Sequence, residues 1–251
     1  MTVAADEQRF RKLFGIERRR LGQGMVISPF LSCQQAARHM SRPRFFRGAA
    51  FRGVCGAIGG RPLSYIQSGM GHTMVADCVL AQEGRQVSTL VFVGAAGVWQ
   101  GCALGDAVVI SRAVFDAQYY RQFSICESGG ECRMFIPDEQ VVLLSERIAR
   151  SHNVSLARTS IASVNSLWQQ DEHLVPRLTR YGAAGVDLEA ALFYAAASRR
   201  EIPAVAMAVV TDIPGERPYW GAFSPKEYRL MARSLRRLLL VSLRIAAYSP
   251  A

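Results

Sequence analysis

At 251 residues, half of them apolar, the chain is long enough to bury a substantial core, and its evenly mixed composition reads as one globular domain across residues 1–251. The formal net charge of +10 is carried mostly by arginine, in clusters at Arg9, Arg11 and Arg18 to Arg20, at Arg42, Arg44, Arg47 and Arg52, and at Arg233, Arg236, Arg237 and Arg244. Such clusters attract phosphate and carboxylate groups. Here they are spread along the chain without a basic tail or an interleaved aromatic platform, so solvated faces or subunit contacts are expected, and nucleic acid is not expected as a partner.

The six cysteines, Cys33, Cys55, Cys78, Cys102, Cys126 and Cys132, include no C-x-x-C pair, so neither a zinc framework nor a thioredoxin-like motif is indicated. Reduced, mostly buried thiols are expected, with Cys126 and Cys132 close enough in sequence to bridge a Gly-rich loop in an oxidising setting. Asp6, Glu7 and Arg9 precede any apolar run, so no signal peptide is expected. The late apolar run from Leu238 to Leu243 is too short to span a bilayer and is bracketed by Arg237 and Arg244. A cytoplasmic protein that does not enter the membrane follows as the expectation.

In chain order, an arginine-rich segment (1–23) leads to a first strand at Gly24–Ile27 that stops at Ser28-Pro29. Gln34–Met40 reads as a helix. Phe51–Ile58 and Leu63–Ser68 read as a hairpin turned at Gly59-Gly60-Arg61-Pro62. Thr73–Glu83 has helical spacing, while Leu90–Gly94 and Ala107–Ser111 read as short strands. Tyr120–Gly130 is polar and Gly-containing, the composition of a loop. Gln140–Arg150, Asp171–Tyr181 and Asp187–Arg200 read as helices, and the unbroken apolar run Ala204–Val210 reads as a buried strand. Ser224, Pro225 and Glu227 supply an N-cap, an N1 proline and a capping-box carboxylate for a final helix over residues 224–247. Its apolar residues share one face, as in a helix packed on a sheet. The alternation of elements predicts a layered α/β domain.

Three small-residue turns follow apolar strands: Ser68-Gly69-Met70-Gly71, Gly94-Ala95-Ala96-Gly97 and Thr211-Asp212. Ligands of α/β sheets bind beyond the carboxyl ends of strands, where small residues let backbone N–H groups approach them. Neither the third glycine of a dinucleotide fingerprint nor a phosphate-loop lysine is present, so a nucleotide cofactor is not supported. No metal site is expected either.

These turns, together with Gly105-Asp106-Ala107-Val108-Val109-Ile110, Val186-Asp187-Leu188-Glu189-Ala190-Ala191 and Val210-Thr211-Asp212, occur in an order that resembles the purine nucleoside and uridine phosphorylase superfamily, which includes the methylthioadenosine nucleosidases. The resemblance runs from about Phe51 to Asp212. It implies a three-layer α/β/α sandwich around a central mixed sheet, a nucleoside as small-molecule substrate, and a homo-oligomer whose neighbouring subunits complete the site.

The chemistry of the residues agrees. Glu189, near a helix start, can accept hydrogen bonds from both ribose hydroxyls and steady a developing oxocarbenium ion. Asp212, at the end of a buried strand, can protonate a departing purine at N7 if its surroundings raise its pKa, which makes it the expected catalytic residue. The resemblance further implies that Leu188 packs under the ribose and that Leu167, Trp168, Ala96 and Gly97 meet the base. Gly69, Gly71, Ala95 and Arg47 would then lie on the anion or water side. Ordinary alternatives stand beside these roles: Glu189 as a helix-N-terminal anion, Asp212 as a helix cap, Trp168 as core.

The departures matter as well. A Gly-Asp-Pro-x-x-Arg type turn follows the first strand in the family's phosphorylases, but here the region is Ser28-Pro29-Phe30-Leu31-Ser32-Cys33-Gln34. Phe92 and Ala95 stand around Gly94 where an arginine and a serine are usual, leaving Arg47 or Arg52 of a neighbouring subunit to compensate. Inorganic phosphate, the one co-substrate in question, is thus poorly neutralised, and hydrolysis is expected ahead of phosphorolysis. No glutamate follows the first strand to orient a water. A non-catalytic nucleoside-binding or regulatory protein on the same fold is the alternative.

Overall fold

The computed structural model describes residues 3–84, 86–116 and 132–248. The loop expected at Tyr120–Gly130, and Cys126 with it, lie outside them. Cys33, Cys55, Cys78 and Cys102 are free thiols.

The chain folds as α1 (Val3–Phe14), β1 (Gly24–Ser28), α2 (Cys33–Ala37), β2 (Ser41–Arg47), β3 (Arg52–Ile58), β4 (Arg61–Gln67), α3 (His72–Leu80), β5 (Thr89–Val98) and β6 (Ala107–Asp116). It continues through β7 (Cys132–Phe135), α4 (Glu139–Ser151), β8 (Leu156–Ser163), α5 (Leu174–Thr179), β9 (Gly185–Asp187), α6 (Ala190–Arg199), β10 (Ala204–Asp212) and α7 (Pro225–Ala247).

The strands form one mixed, ten-stranded sheet with helices on both faces. Side-chain alternation along the central strands sorts the core into two halves, because successive residues of a strand point to opposite faces. Met25, Ile27, Leu90, Phe92, Ala206 and Ala208 face α1, α3 and α6. Val26, Val91, Val93, Val205, Met207 and Val209 face α2, α4 and α7. That is the three-layer α/β/α arrangement, and it explains why these strands read as unbroken apolar runs: both sides are covered.

The sheet branches at β5. Its first half pairs in parallel with β1 on one side and β10 on the other, and its last residues, Gly97 and Val98, pair antiparallel with β9. From β9 the ladder passes to β8, then β6, then back to β10. The strands β5, β10, β6, β8 and β9 therefore close a distorted barrel, and β1, β4, β3 and β2 form an open arm. Tyr194 of α6 rivets the barrel where β6 and β10 diverge: its hydroxyl donates to the Ile110 carbonyl and accepts from the Ala206 N–H, both at 2.7 Å. Buried backbone groups that lose their ladder partners need substitutes of this kind.

Several elements differ from the sequence expectation. The hairpin turns on Gly59-Gly60 alone, both at positive φ (59° and 81°), so Arg61 and Pro62 already belong to β4. Arginine-rich β2, not expected at all, is an edge strand on which only Phe46 is buried; charge and proline are what exposed edges carry. Leu90–Gly94 and Ala107–Ser111 are the starts of longer strands that run on through small and polar residues. Asp187–Arg200 is not wholly helical: Asp187 ends β9, and α6 begins at Ala190 with Glu189 in the N-cap position. The final helix matches its signal, with the Ser224–Glu227 capping box formed and Pro225 at its first turn. Among the described residues, no helix is long and apolar enough to cross a membrane.

Candidate functional site

Where the barrel strands end, three segments converge. β10 carries a bulge at its junction with β5: Val210 pairs with Ala96 and Asp212 with Gly97, leaving Thr211 extra. A bulge re-aims the following side chain, and Asp212 faces the end of β5. Its Oδ1 accepts from Thr211 Oγ1 at 3.0 Å, while Oδ2 is buried with no hydrogen-bond partner among the described residues. A Cβ on Gly97 would stand 2.6 Å from that oxygen, so only glycine leaves room for the carboxyl. Burial raises the Asp212 pKa above the usual carboxylate value.

β9 and the start of α6 bring the second segment. Asp187 accepts from Ser163 Oγ at 2.5 Å and from the Ala190 N–H at 2.8 Å, and Ser163 Oγ in turn accepts from the Ala191 N–H at 2.9 Å. The third segment is the turn after β4, whose Gly69 and Gly71 sit at φ 82° and 98°, a region glycine enters freely. This backbone aims the Gly71 N–H at Glu189 Oε1, 2.7 Å away. Burial first, and then the adjacent Asp187 charge, hold the Glu189 carboxyl above its ordinary pKa; burial does the same to Asp187.

Asp187, Glu189 and Asp212 line one cavity of about 160 Å³. Of the residues expected at a site, Leu188, Leu167, Ala95, Ala96 and Gly97 line it too. Gly71 reaches it through the bond to Glu189. Gly69 and Arg47 do not: with Arg52 and Ser68 they line an adjoining cleft of the same chain. Trp168 is misplaced by the sequence reading in both its versions. It is 94% exposed, neither core nor part of the cavity wall, because the short 3₁₀ turn over Leu167–Gln169 turns Leu167 inward and Trp168 out.

The sequence reading missed other lining residues. Pro29 and Phe30 close the side beneath β1, Met70 stands beside them, and Gln170 and Tyr219 complete the wall. Gln170 Oε1, like Asp212 Oδ2, is buried without a partner among the described residues. The signal for Asp187 lay in its spacing from Glu189; nothing in the sequence pointed to Gln170 or Tyr219. Among the described residues no lysine, arginine or histidine lines the cavity, and Phe92, at a position where the resemblance led to an arginine, is buried against Phe193 with ring centroids 5.6 Å apart. Among the described residues, no group of three His, Cys, Asp or Glu side chains could hold a metal ion.

The family model described as Phosphorylase superfamily matches residues 27–240. The purine nucleoside phosphorylase DeoD-type of Photorhabdus laumondii is 28% identical over 165 residues, 64% of this chain and 66% of its own length. The chain thus spans just under two thirds of that relative. Among solved structures, the 5'-methylthioadenosine/S-adenosyl homocysteine nucleosidase of Campylobacter jejuni superposes with a TM-score of 0.75 at 16% identity, over 89% of this chain and 98% of that one. A purine nucleoside phosphorylase from Toxoplasma gondii, in complex with immucillin-H, gives a TM-score of 0.77 at 14% identity, over 92% and 93%. At these identities the structural likeness speaks for the fold.

Proposed function

The chain belongs to the phosphorylase superfamily, and from that premise we propose that it cleaves the N-glycosidic bond of a nucleoside, a purine nucleoside by preference, with water as acceptor. The observation that carries this reading is the pairing, in one cavity, of a buried carboxyl with an unpaired oxygen, Asp212, and a second carboxyl, Glu189, anchored across the cavity floor by Gly71.

Asp212, its pKa raised by burial, holds a proton to give to purine N7. Protonation makes the base a better leaving group, and the C1'–N9 bonding pair departs with it. Glu189 accepts from the 2'- and 3'-hydroxyls and steadies the positive charge that grows on the ribose. Water adds to C1', releasing free base and ribose, and a proton from that water restores Asp212 through solvent. Leu188 would pack against the sugar, and Leu167, Ala96 and Gly97 against the base, with Ala95 and Gly71 toward the acceptor.

The acceptor preference follows from charge. A phosphate dianion would enter a cavity lined by three carboxyl groups and, among the described residues, no basic side chain, with Pro29 and Phe30 in place of the family's phosphate turn. An anion without a cation in a partly buried site is strongly disfavoured. Arg47 and Arg52 remain outside, in the adjoining cleft, from which a neighbouring subunit's site could be reached in a homo-oligomer. The reading takes the chain as one domain acting in the cytoplasm, with no cofactor.

Purified protein incubated with adenosine, inosine and guanosine in phosphate-free buffer should release free base, followed by chromatography. A strict requirement for phosphate would overturn the choice of water. The second reading, nucleoside binding without turnover, is favoured by one observation: the apolar Pro29–Phe30 wall offers no group to activate water. Calorimetric binding with no base released would establish it.

A further inference from the structure

Glu189 occupies the N-cap position of α6, yet its side chain makes no capping bond. The first N–H groups of a helix lack intrahelical partners, and the positive end of the helix attracts the nearest anion. A carboxylate at this point has every reason to turn back onto its own helix. It does not, and the first two of those donors are already taken: Ala190 N–H by Asp187 Oδ2 and Ala191 N–H by Ser163 Oγ, with the Ser163 hydroxyl held by Asp187 Oδ1. Asp187 and Ser163 are each less than a tenth exposed, and the Val164 N–H to Asp187 carbonyl bond at 2.9 Å locks their strands together. Glu189 reaches instead across to the Gly71 N–H on a different strand end.

We infer that Asp187, braced by Ser163, is a positioning residue: it caps α6 in place of Glu189 and so keeps the Glu189 carboxylate turned into the cavity, where it grips the ribose diol. This rests on the nucleoside reading above and adds a determinant of sugar specificity that makes no contact with the reacting atoms. The like charge of Asp187 serves the same end, since it disfavours the approach of Glu189 to the helix end that Asp187 occupies.

Asp187→Asn keeps the shape and removes the charge; the α6 terminus then draws on Glu189. The test is calorimetric binding of adenosine and 2'-deoxyadenosine, which reads sugar recognition whether or not the protein turns over. The intact protein should favour the ribonucleoside by about tenfold or more, the scale of a hydrogen bond to a charged group. In Asp187→Asn that preference should shrink to within about threefold, with binding of the deoxynucleoside nearly unchanged. A merely structural role would weaken both ligands alike. Should Asp187→Asn fail to fold by circular dichroism, Ser163→Ala, which removes the brace on Asp187 and frees the Ala191 N–H, is read in the same way. Full retention of the preference in a folded variant, or equal loss for both ligands, overturns the positioning role and leaves the nucleoside reading intact. An intact protein that binds neither nucleoside overturns both, and one that binds the two equally overturns the diol grip and this inference with it.

Discussion

The cavity and the opposite-charged edge of the same molecule are built on contrary rules. The cavity gathers Asp187, Glu189 and Asp212 with no basic side chain among the described residues. Around the β2 edge, Arg11 and Arg20 from the N-terminal segment and Arg44 and Arg47 from β2 line a single cleft, with Glu17 its one acid. Glu17 ion-pairs with Arg11, Arg19 and Arg20, and its carboxyl is held below the usual range, the bond to Arg19 contributing most. A chain of net charge +10 thus has, among its described residues, no basic side chain in the wall of its candidate site. Net charge and site charge are separate quantities: the first bears on encounters with other molecules, the second on which ligand can be desolvated.

The sharpest way to break this contrast is Asp212→Asn. Loss of a general acid should cut base release by about 10²–10⁴-fold, measured as initial rates by chromatography. Activity close to that of the intact protein would remove Asp212 from the mechanism. Glu189→Gln comes next: losing a charged acceptor for the ribose should lower kcat/KM for ribonucleosides by about 10–100-fold. A smaller loss for 2'-deoxynucleosides would tie the effect to the diol.

The third effect is on stability and follows from the sign of the pKa shifts. The native carboxyls of Asp187, Glu189 and Asp212 titrate above the values of 3.8 and 4.5 proper to unfolded Asp and Glu. Between the unfolded and native pKa values the native state binds more protons, so stability falls as pH rises through that window. Asp212→Asn should accordingly be as stable as the intact protein below the unfolded value and more stable at neutral pH. Urea unfolding at pH 3.5 and pH 7.5 checks this, because the exposed ion pairs are common to both proteins and cancel in the difference. Equal pH slopes would mean that Asp212 ionises freely in the fold. Smallest of all should be Arg44→Ala, on the arginine edge. Catalysis is expected to change by less than about twofold and stability by no more than about 0.5 kcal/mol, as for most surface substitutions. A large loss of activity would show that the edge and the cavity work together.

Much of this was legible in the sequence for a definite reason. Strands covered on both faces are apolar throughout, and the end of β10 betrays itself by a sudden change to polar residues, so Asp212 could be picked out from a local signal, whereas Glu189 was picked out as a carboxylate near a helix start in a motif that resembles the family's. The capping box of α7 is local too. Pairing between distant segments is not: β9 is three residues long, and its place between β5 and β8 is set by partners far away in the chain. The same holds for the arginines, which look scattered until the N-terminal segment and β2 meet in one cleft. Asp187 read as the first turn of a helix because nothing local separates a short strand followed by a cap from a helix start. Trp168 was misjudged because an exposed aromatic and a pocket aromatic look alike until the turn that carries them is known.

The Tyr194 rivet makes the rigidity of the site a matter of hydrogen exchange. One phenol serves two backbone groups on strands whose bulged or diverging ends deliver the site, since β10 ends at Asp212. Tyr194→Phe would strand the Ile110 carbonyl and the Ala206 N–H together, at about 1–3 kcal/mol for each buried group left unpaired. The amides of β10 should then exchange earlier than those of the β1–β4 ladder, which does not depend on the rivet. In this molecule the strand that ends at Asp212 is tied at Ala206 by a hydroxyl from the helix packed against it.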